Sequence, residues 1–298
     1  MNRKIRGNKR KLNYKRVLMV IILIIIILLL AIFSVVIKHN KRVEEVKIEA
    51  EKKAEEEEEE IMKIAIETQK KEEEAREKEK QKQEEEKATG VIYLTFDDGP
   101  TSDSTPQILD ILKNRNIKAT FFILHYDENH EQFIKREYEE GHTIGLHGYT
   151  HAYAEVYQSA DTCIENFKKI GAQVYQTTGT QSKIIRFPGG SSNTISKKYC
   201  EGVMTQLVKR TVEEGYRYFD WNVDSDDAGH AKTSEKIYEN VTNGIKPGRN
   251  NVVLMHDFAK NHKTIDALNS IIDWGLEQGY VFRKITEETP MVTHGVNN

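Results

Sequence analysis

The chain has 298 residues, 38% of them hydrophobic, and a net charge of -3, which allows one or two domains. No pattern of basic and aromatic residues suggests a nucleic-acid partner. The charge averages unlike parts: a basic N-terminus, an acidic stretch behind it and a mildly acidic remainder.

Residues 17–37 form an uncharged apolar run of about 21 residues, long enough to cross a bilayer. Residues 1–16 carry Arg3, Lys4, Arg6, Lys9, Arg10, Lys11, Lys15 and Arg16 without an acidic residue. The positive-inside rule therefore predicts a basic cytoplasmic tail and a single span in the cell membrane, with the C-terminal bulk outside. A cleaved signal peptide is the alternative, with an apolar region that is usually about 7–15 residues long. Residues 38–89 are dominated by Glu and Lys, including the run Glu55 to Glu60. They predict a solvated, extended stalk, whose Glu and Lys content also suits partly helical structure. A coiled coil is the alternative, but apolar a and d positions over several heptads are not found.

From residue 90 to 298 short apolar runs alternate with amphipathic stretches. Strands are predicted near 91–96, 118–124, 143–146, 184–187, 216–223, 251–256 and 280–284. Helices are predicted near 105–115, 131–140, 158–175, 199–214, 234–243 and 264–277. Such alternation predicts an α/β domain with a parallel sheet. Its length suits a distorted, incomplete (β/α) barrel of about seven strands better than a full eight-fold one; an open doubly wound sheet is the alternative. Cys163 and Cys200 fall in predicted helices and are read as two reduced thiols or as one disulfide.

The polar residues of interest cluster at strand C-terminal ends, which converge on one face of a (β/α) barrel. Asp97 and Asp98 end the first strand, before a turn forced by Gly99 and Pro100. Alternation along an extended backbone sends their side chains opposite ways, so one can bind a metal while the other faces what lies beside it. His147 and His151 add two imidazoles at i and i+4. Two His and one Asp leave coordination positions open, as a catalytic zinc requires. The set points to a metal-dependent hydrolase. His125, His130, His142, His230, His262 and His294 lack matching partners and are expected at the surface.

The chain resembles the polysaccharide deacetylases with the NodB homology domain, carbohydrate esterase family 4. The resemblance covers about residues 90–285. It rests on Thr95-Phe96-Asp97-Asp98-Gly99-Pro100, His147-Gly148-Tyr149-Thr150-His151, Arg186-Phe187-Pro188-Gly189-Gly190, Asp220-Trp221 and Leu254-Met255-His256, in that order. It implies that Asp98, His147 and His151 hold one divalent metal, zinc first, with cobalt, manganese or iron as alternatives. It makes Asp97 the base that takes a proton from the attacking water, with Arg186 orienting it. His256 becomes the acid for the leaving amine, and Asp220 the carboxylate that keeps it protonated. Gly189 supplies a backbone N–H to the oxyanion, while Trp221 and Leu254 wall a pocket for the acetyl methyl. Asp257 is read as a turn cap.

Two positions depart from the family pattern: Gly148 replaces a hydroxyl residue and Gly189 replaces an aromatic one found in many members. The resemblance implies an N-acetylated glycan partner, with peptidoglycan N-acetylglucosamine as the expected substrate. Chitin oligomers, poly-N-acetylglucosamine and acetylxylan are alternatives, as is an inactive glycan-binding envelope protein.

Overall fold

The structure is a computed structural model that describes residues 14–297. The predicted basic tail at 1–16 therefore lies largely outside the described residues. The chain divides into two compact units, Met1–Glu79 and Lys80–Asn298.

A single helix of 74 residues, α1 (Tyr14–Lys87), takes in both the apolar run and the Glu/Lys-rich stretch. The stalk is thus helical throughout rather than in part. Its Glu and Lys residues are strong helix formers, and pairs such as Lys63–Glu59 at 2.8 Å and Lys71–Glu67 at 2.7 Å link successive turns. None of its residues is buried, and the apolar residues from Val17 to Ile37 are exposed. The helix is long and apolar enough to cross a membrane by length and composition.

The second unit alternates strand and helix. Its elements run β1 (Val91–Asp97), α2 (Ser104–Asn114), β2 (Thr120–Ile123), α3 (Glu131–Glu139), β3 (Thr143–Leu146), α4 (Tyr153–Val156), α5 (Ala160–Thr178) and β4 (Ile184–Ile185). They continue with α6 (Val203–Glu213), β5 (Arg217–Tyr218), β6 (Val223–Asp224), α7 (Ser234–Gly244), β7 (Asn250–His256), α8 (His262–Glu277) and β8 (Val281–Phe282). The sheet order is β5-β4-β3-β2-β1-β7-β6, with β8 added beside the start of β1, and every pairing is parallel.

The strand predicted at 216–223 is two short ones. β5 pairs with β4 at one end of the sheet, and β6 pairs with β7 at the other. Only residues 219–222 join them, so the ends of the sheet must approach each other. The five steps from Tyr218 to Val223 span at most about 18 Å. The sheet is therefore curled into an incomplete barrel, and an open doubly wound sheet is excluded.

Alternation along β1 and β7 separates two environments. Ile92, Leu94 and Phe96 face outward into the larger apolar cluster, with Ile108, Leu109 and Leu112 of α2 and Leu268, Ile271 and Ile272 of α8. Val91, Tyr93 and Val252 face inward, with Phe122, Phe219 and Ile285. Each such side chain contributes roughly 1.5–3 kcal/mol when fully buried. Further along the same inward face come Thr95 and Asp97 on β1, in register with Leu254 and His256 on β7. The barrel interior is thus apolar at the N-terminal ends of the strands and charged at the C-terminal ends.

Candidate active site

β1 ends at Asp97, and the next residue leaves the strand with φ 76°. This left-handed turn, which Asp tolerates better than most residues, corrects the expectation that Asp97 and Asp98 point apart. Both carboxylates flank the same imidazole. Nε2 of His147 lies 3.6 Å from Asp98 Oδ1 and 3.9 Å from Asp97 Oδ2. Nδ1 of His147 is 2.9 Å from the Arg186 carbonyl oxygen, which can only accept. Nδ1 therefore carries a proton, and Nε2 is the nitrogen left to bind a cation.

One ligand atom each from Asp98, His147 and His151 lies within 4.8 Å of the others. A tetrahedral ion with bonds of about 2.1 Å needs its ligand atoms roughly 3.4 Å apart, so modest side-chain rotation closes the set. Asp98 Oδ1 is buried without a hydrogen-bond partner, a costly condition for a carboxylate that a cation at this point would relieve. Burial, and after it the neighbouring His147, hold His151 below the usual histidine range, in the neutral form a ligand needs. The three residues fit a divalent metal.

Arg186 is fully buried, with every nitrogen assigned. Nη1 donates to Asp97 Oδ1 at 2.7 Å and to Thr95 Oγ1 at 2.8 Å. Nε donates to the Phe219 carbonyl at 2.9 Å and Nη2 to that of Asp220 at 3.1 Å. The guanidinium also lies 4.1 Å from the centre of the Phe122 ring. Such a cation cannot turn away, so one Asp97 oxygen is held and the other faces His147.

The carboxylate beside His256 is Asp227, not Asp220. Nδ1 of His256 meets Asp227 Oδ1 at 2.7 Å. Asp227 Oδ2 accepts from His256 N–H at 2.9 Å, Asn261 at 3.0 Å and Thr264 at 2.7 Å. Burial alone would lower the imidazole, but the Asp227 hydrogen bond and charge, aided by Asp97 and Asp98, outweigh it and raise His256 to about 9. Asp227 responds oppositely: burial pushes up, the bonds from His256 and Thr264 prevail, and it falls to about 2.

Asp220 anchors backbone instead. It accepts from Ser191 N–H at 2.8 Å, Ser191 Oγ at 2.5 Å and His294 N–H at 2.7 Å. It sits in the link between β5 and β6, whereas Asp227 follows β6, whose pairing with β7 carries it to the level of His256. That register is the signal the Asp-Trp pair obscured. Asp257 binds Ser104 and Thr105 at 2.5 Å each, fixing the start of α2, and burial pushes it up to about 7.

Trp221 packs against Gly190 and stands edge-on to His294 at 4.8 Å; Leu254 shares the inward face of β7 with His256. His294 also bonds the Trp221 carbonyl at 2.6 Å, and His142 is buried with Nδ1 3.0 Å from the Ala119 N–H, so neither is the surface residue expected. Both cysteines are free thiols, and burial pushes that of Cys163 up.

At Gly148, with φ 139°, a Cβ would lie 2.3 Å from Nδ2 of Asn166. That amide bonds both the N–H and the carbonyl of Thr150, at 2.9 and 3.0 Å. Asn166 therefore shapes the loop between His147 and His151 in place of a hydroxyl at 148. Gly189 is exposed, with φ 75°.

A model of the polysaccharide deacetylase family matches residues 84–208. A peptidoglycan-N-acetylglucosamine deacetylase of Bacillus cereus is 34% identical over 212 residues, covering 68% of this chain and 72% of that protein. The catalytic domain of a peptidoglycan N-acetylglucosamine deacetylase from Eubacterium rectale superposes with a TM-score of 0.66 at 41% identity, over 70% of this chain and 94% of that one. A family 4 acetyl xylan esterase from Clostridium thermocellum, solved with a cobalt ion, superposes with a TM-score of 0.54 at 26% identity, over 65% and 87%. The inward-facing Asp, His and Arg constellation, the curled parallel sheet and these relatives agree: the chain belongs to the polysaccharide deacetylase family.

Proposed function

We propose that this chain is a metal-dependent N-deacetylase of peptidoglycan N-acetylglucosamine, held in the cell membrane by residues 17–37 with its catalytic unit outside. The observation that carries the chemistry is the register of Asp97 with His256. It brings a carboxylate and an imidazole together on neighbouring strands, both facing inward near the Asp98, His147 and His151 group, which supports reading them as base and acid. Relatives named as peptidoglycan deacetylases support the substrate.

Asp98, His147 and His151 would hold the ion, zinc first. When bound, it polarises the acetamide carbonyl and makes water more acidic. Asp97, fixed by Arg186, accepts the proton of the attacking water. His256, kept charged by Asp227, gives its proton to the leaving nitrogen, without which an amide is expelled very slowly. Gly189 N–H faces the developing oxyanion. Trp221 and Leu254 bound the space for the methyl group. Asp220 serves by fixing Ser191 behind that loop.

The test uses the full-length chain in detergent, stripped of metal and then reloaded with zinc. Acetate release from intact peptidoglycan is compared with that from chitin oligomers and acetylxylan. Release from peptidoglycan that needs zinc is expected. Release from acetylxylan alone would move the substrate, and no release from any of the three would end the enzyme reading.

A further inference from the structure

The roles assigned above leave one polar group beside the site unused, the phenol of Tyr153. Tyr153 opens α4, two residues past His151, and is half-buried. Its ring stands edge-on to His151 at 5.2 Å and stacks on Tyr157 at 6.0 Å. Tyr157 is itself buried and donates to the Pro188 carbonyl at 2.8 Å. The Tyr153 ring is therefore held between a metal ligand and a buried tyrosine tied to the residue before Gly189.

Its hydroxyl ends over Gly189. A Cβ on that glycine would lie 2.7 Å from the phenol oxygen and 3.3 Å from Cε1. The φ of 75° disfavours any side chain there, so the volume beside Gly189 belongs to Tyr153. Among the described residues, neither the phenol nor the Gly189 N–H has a hydrogen-bond partner. The phenol therefore ends beside Gly189, next to His151, with both its O–H and the Gly189 N–H uncommitted to other protein groups.

We infer that Tyr153 O–H and Gly189 N–H form a two-donor pocket for the carbonyl oxygen of the substrate acetamide, which makes Tyr153 a catalytic residue. The inference rests on the deacetylase reading above. As the water oxygen bonds to the carbonyl carbon, its proton goes to Asp97 and the carbonyl π pair moves onto oxygen. The two donors hold that negative charge. When the pair returns, the C–N bond breaks, the nitrogen takes the proton of His256, and acetic acid leaves beside the free amine, to lose its remaining proton to water as acetate. Donors placed where charge develops act on the barrier more than on substrate binding.

The test is Tyr153→Phe in the full-length, zinc-loaded chain, a change that removes one oxygen and keeps the ring. The kcat for acetate release from N-acetylglucosamine oligomers is expected to fall about 100-fold, with KM changed less than about 3-fold. The dissociation constant of methylphosphonate, a tetrahedral anion, should rise by at least about 10-fold by calorimetry, with zinc content unchanged. Wild-type kcat and unaltered methylphosphonate binding in the variant would overturn the inference, as would a change confined to KM or a loss of zinc. Failure of the wild-type chain to release acetate would instead overturn the deacetylase reading.

Discussion

His256 shows how a single residue is tuned by what surrounds it. Its ring sits in a site that would make it neutral, and Asp227 reverses this, raising it to about 9. An acid must be protonated to act, so activity should fall as pH rises through the value for His256. Bound metal offsets the charge of Asp97 and Asp98, so the limb in the loaded enzyme lies below 9. Asp227→Asn should lower kcat on amides by about 10–100-fold and move this limb to lower pH. Asp220→Asn, which loosens Ser191 and His294, should leave the limb in place. A pH–rate profile of the two variants separates them; a limb shifted by Asp220→Asn alone would restore the first pairing.

Asp97 and His147 are neighbours with separable duties. Asp97→Asn should keep zinc and lose turnover by about 100-fold or more, because the amide no longer accepts the proton of water. His147→Ala should lose metal and activity together, since it removes one of three ligands. Zinc content by atomic absorption beside acetate release checks both. Loss of zinc in Asp97→Asn would show that the left-handed turn at Asp98 has placed both carboxylates on the ion.

At the scale of elements, strand existence was legible in the sequence and strand continuity was not. Apolar runs and breaks located β1, β2, β3 and β7, because buried parallel strands read as apolar stretches. The split between β5 and β6 carries no such mark, since one apolar stretch serves both ends of the curled sheet. Spacing singled out the first-strand carboxylates and the two histidines that the fold gathers beside Asp98. The partner of His256 was missed because residues 220–227 hold four acidic residues, Asp220, Asp224, Asp226 and Asp227, and only the β6–β7 register distinguishes them.

The loop between His147 and His151 depends on an element far along the chain. Asn166, on α5, satisfies both backbone groups of Thr150 from a nearly closed position, 6% exposed. Asn166→Ala leaves those groups unpaired at a cost of about 1–3 kcal/mol. It should also weaken zinc binding by about 10-fold or more, because the ligands lose their support. Thermal unfolding of the apo chain and a competition titration with a chromophoric chelator measure the two effects separately. Unchanged zinc affinity would mean that the loop holds its shape without this amide.

For the whole molecule, the His256–Asp227 pair links stability to pH in two directions. His256 is raised on folding, so its contribution is complete below about 6.5 and lost as pH rises through about 9. Asp227 is depressed, so its contribution is complete above about 4 and lost as pH falls through about 2. Between these windows the metal-free chain should be most stable, and Asp227→Asn should flatten both flanks. A series of urea midpoints from pH 2 to pH 10 would reveal it. A midpoint that does not fall between pH 7 and pH 9.5 would argue that His256 is not held charged in the fold.

The N-terminal unit poses a different physical problem. Its apolar residues from Val17 to Ile37 are exposed, with none of the spanning window buried in protein. Exposed apolar surface on this scale needs a cover, and a hydrocarbon layer of about 30 Å matches about 20 helical residues. Replacing Leu28 and Leu29 with Arg should cost roughly 2.5–3.5 kcal/mol for each charge near the middle of the span. The wild-type chain, expressed in a bacterium with a single membrane, should sediment with membranes, resist high salt and dissolve in detergent. Protease added to intact cells should degrade the catalytic unit, while an epitope placed before Arg3 should survive until the cells are opened. The double Arg variant should shift to the soluble fraction. Release of the wild-type chain by salt alone would replace the anchor with an electrostatic attachment, and protection of the catalytic unit would invert the topology and remove peptidoglycan from its reach.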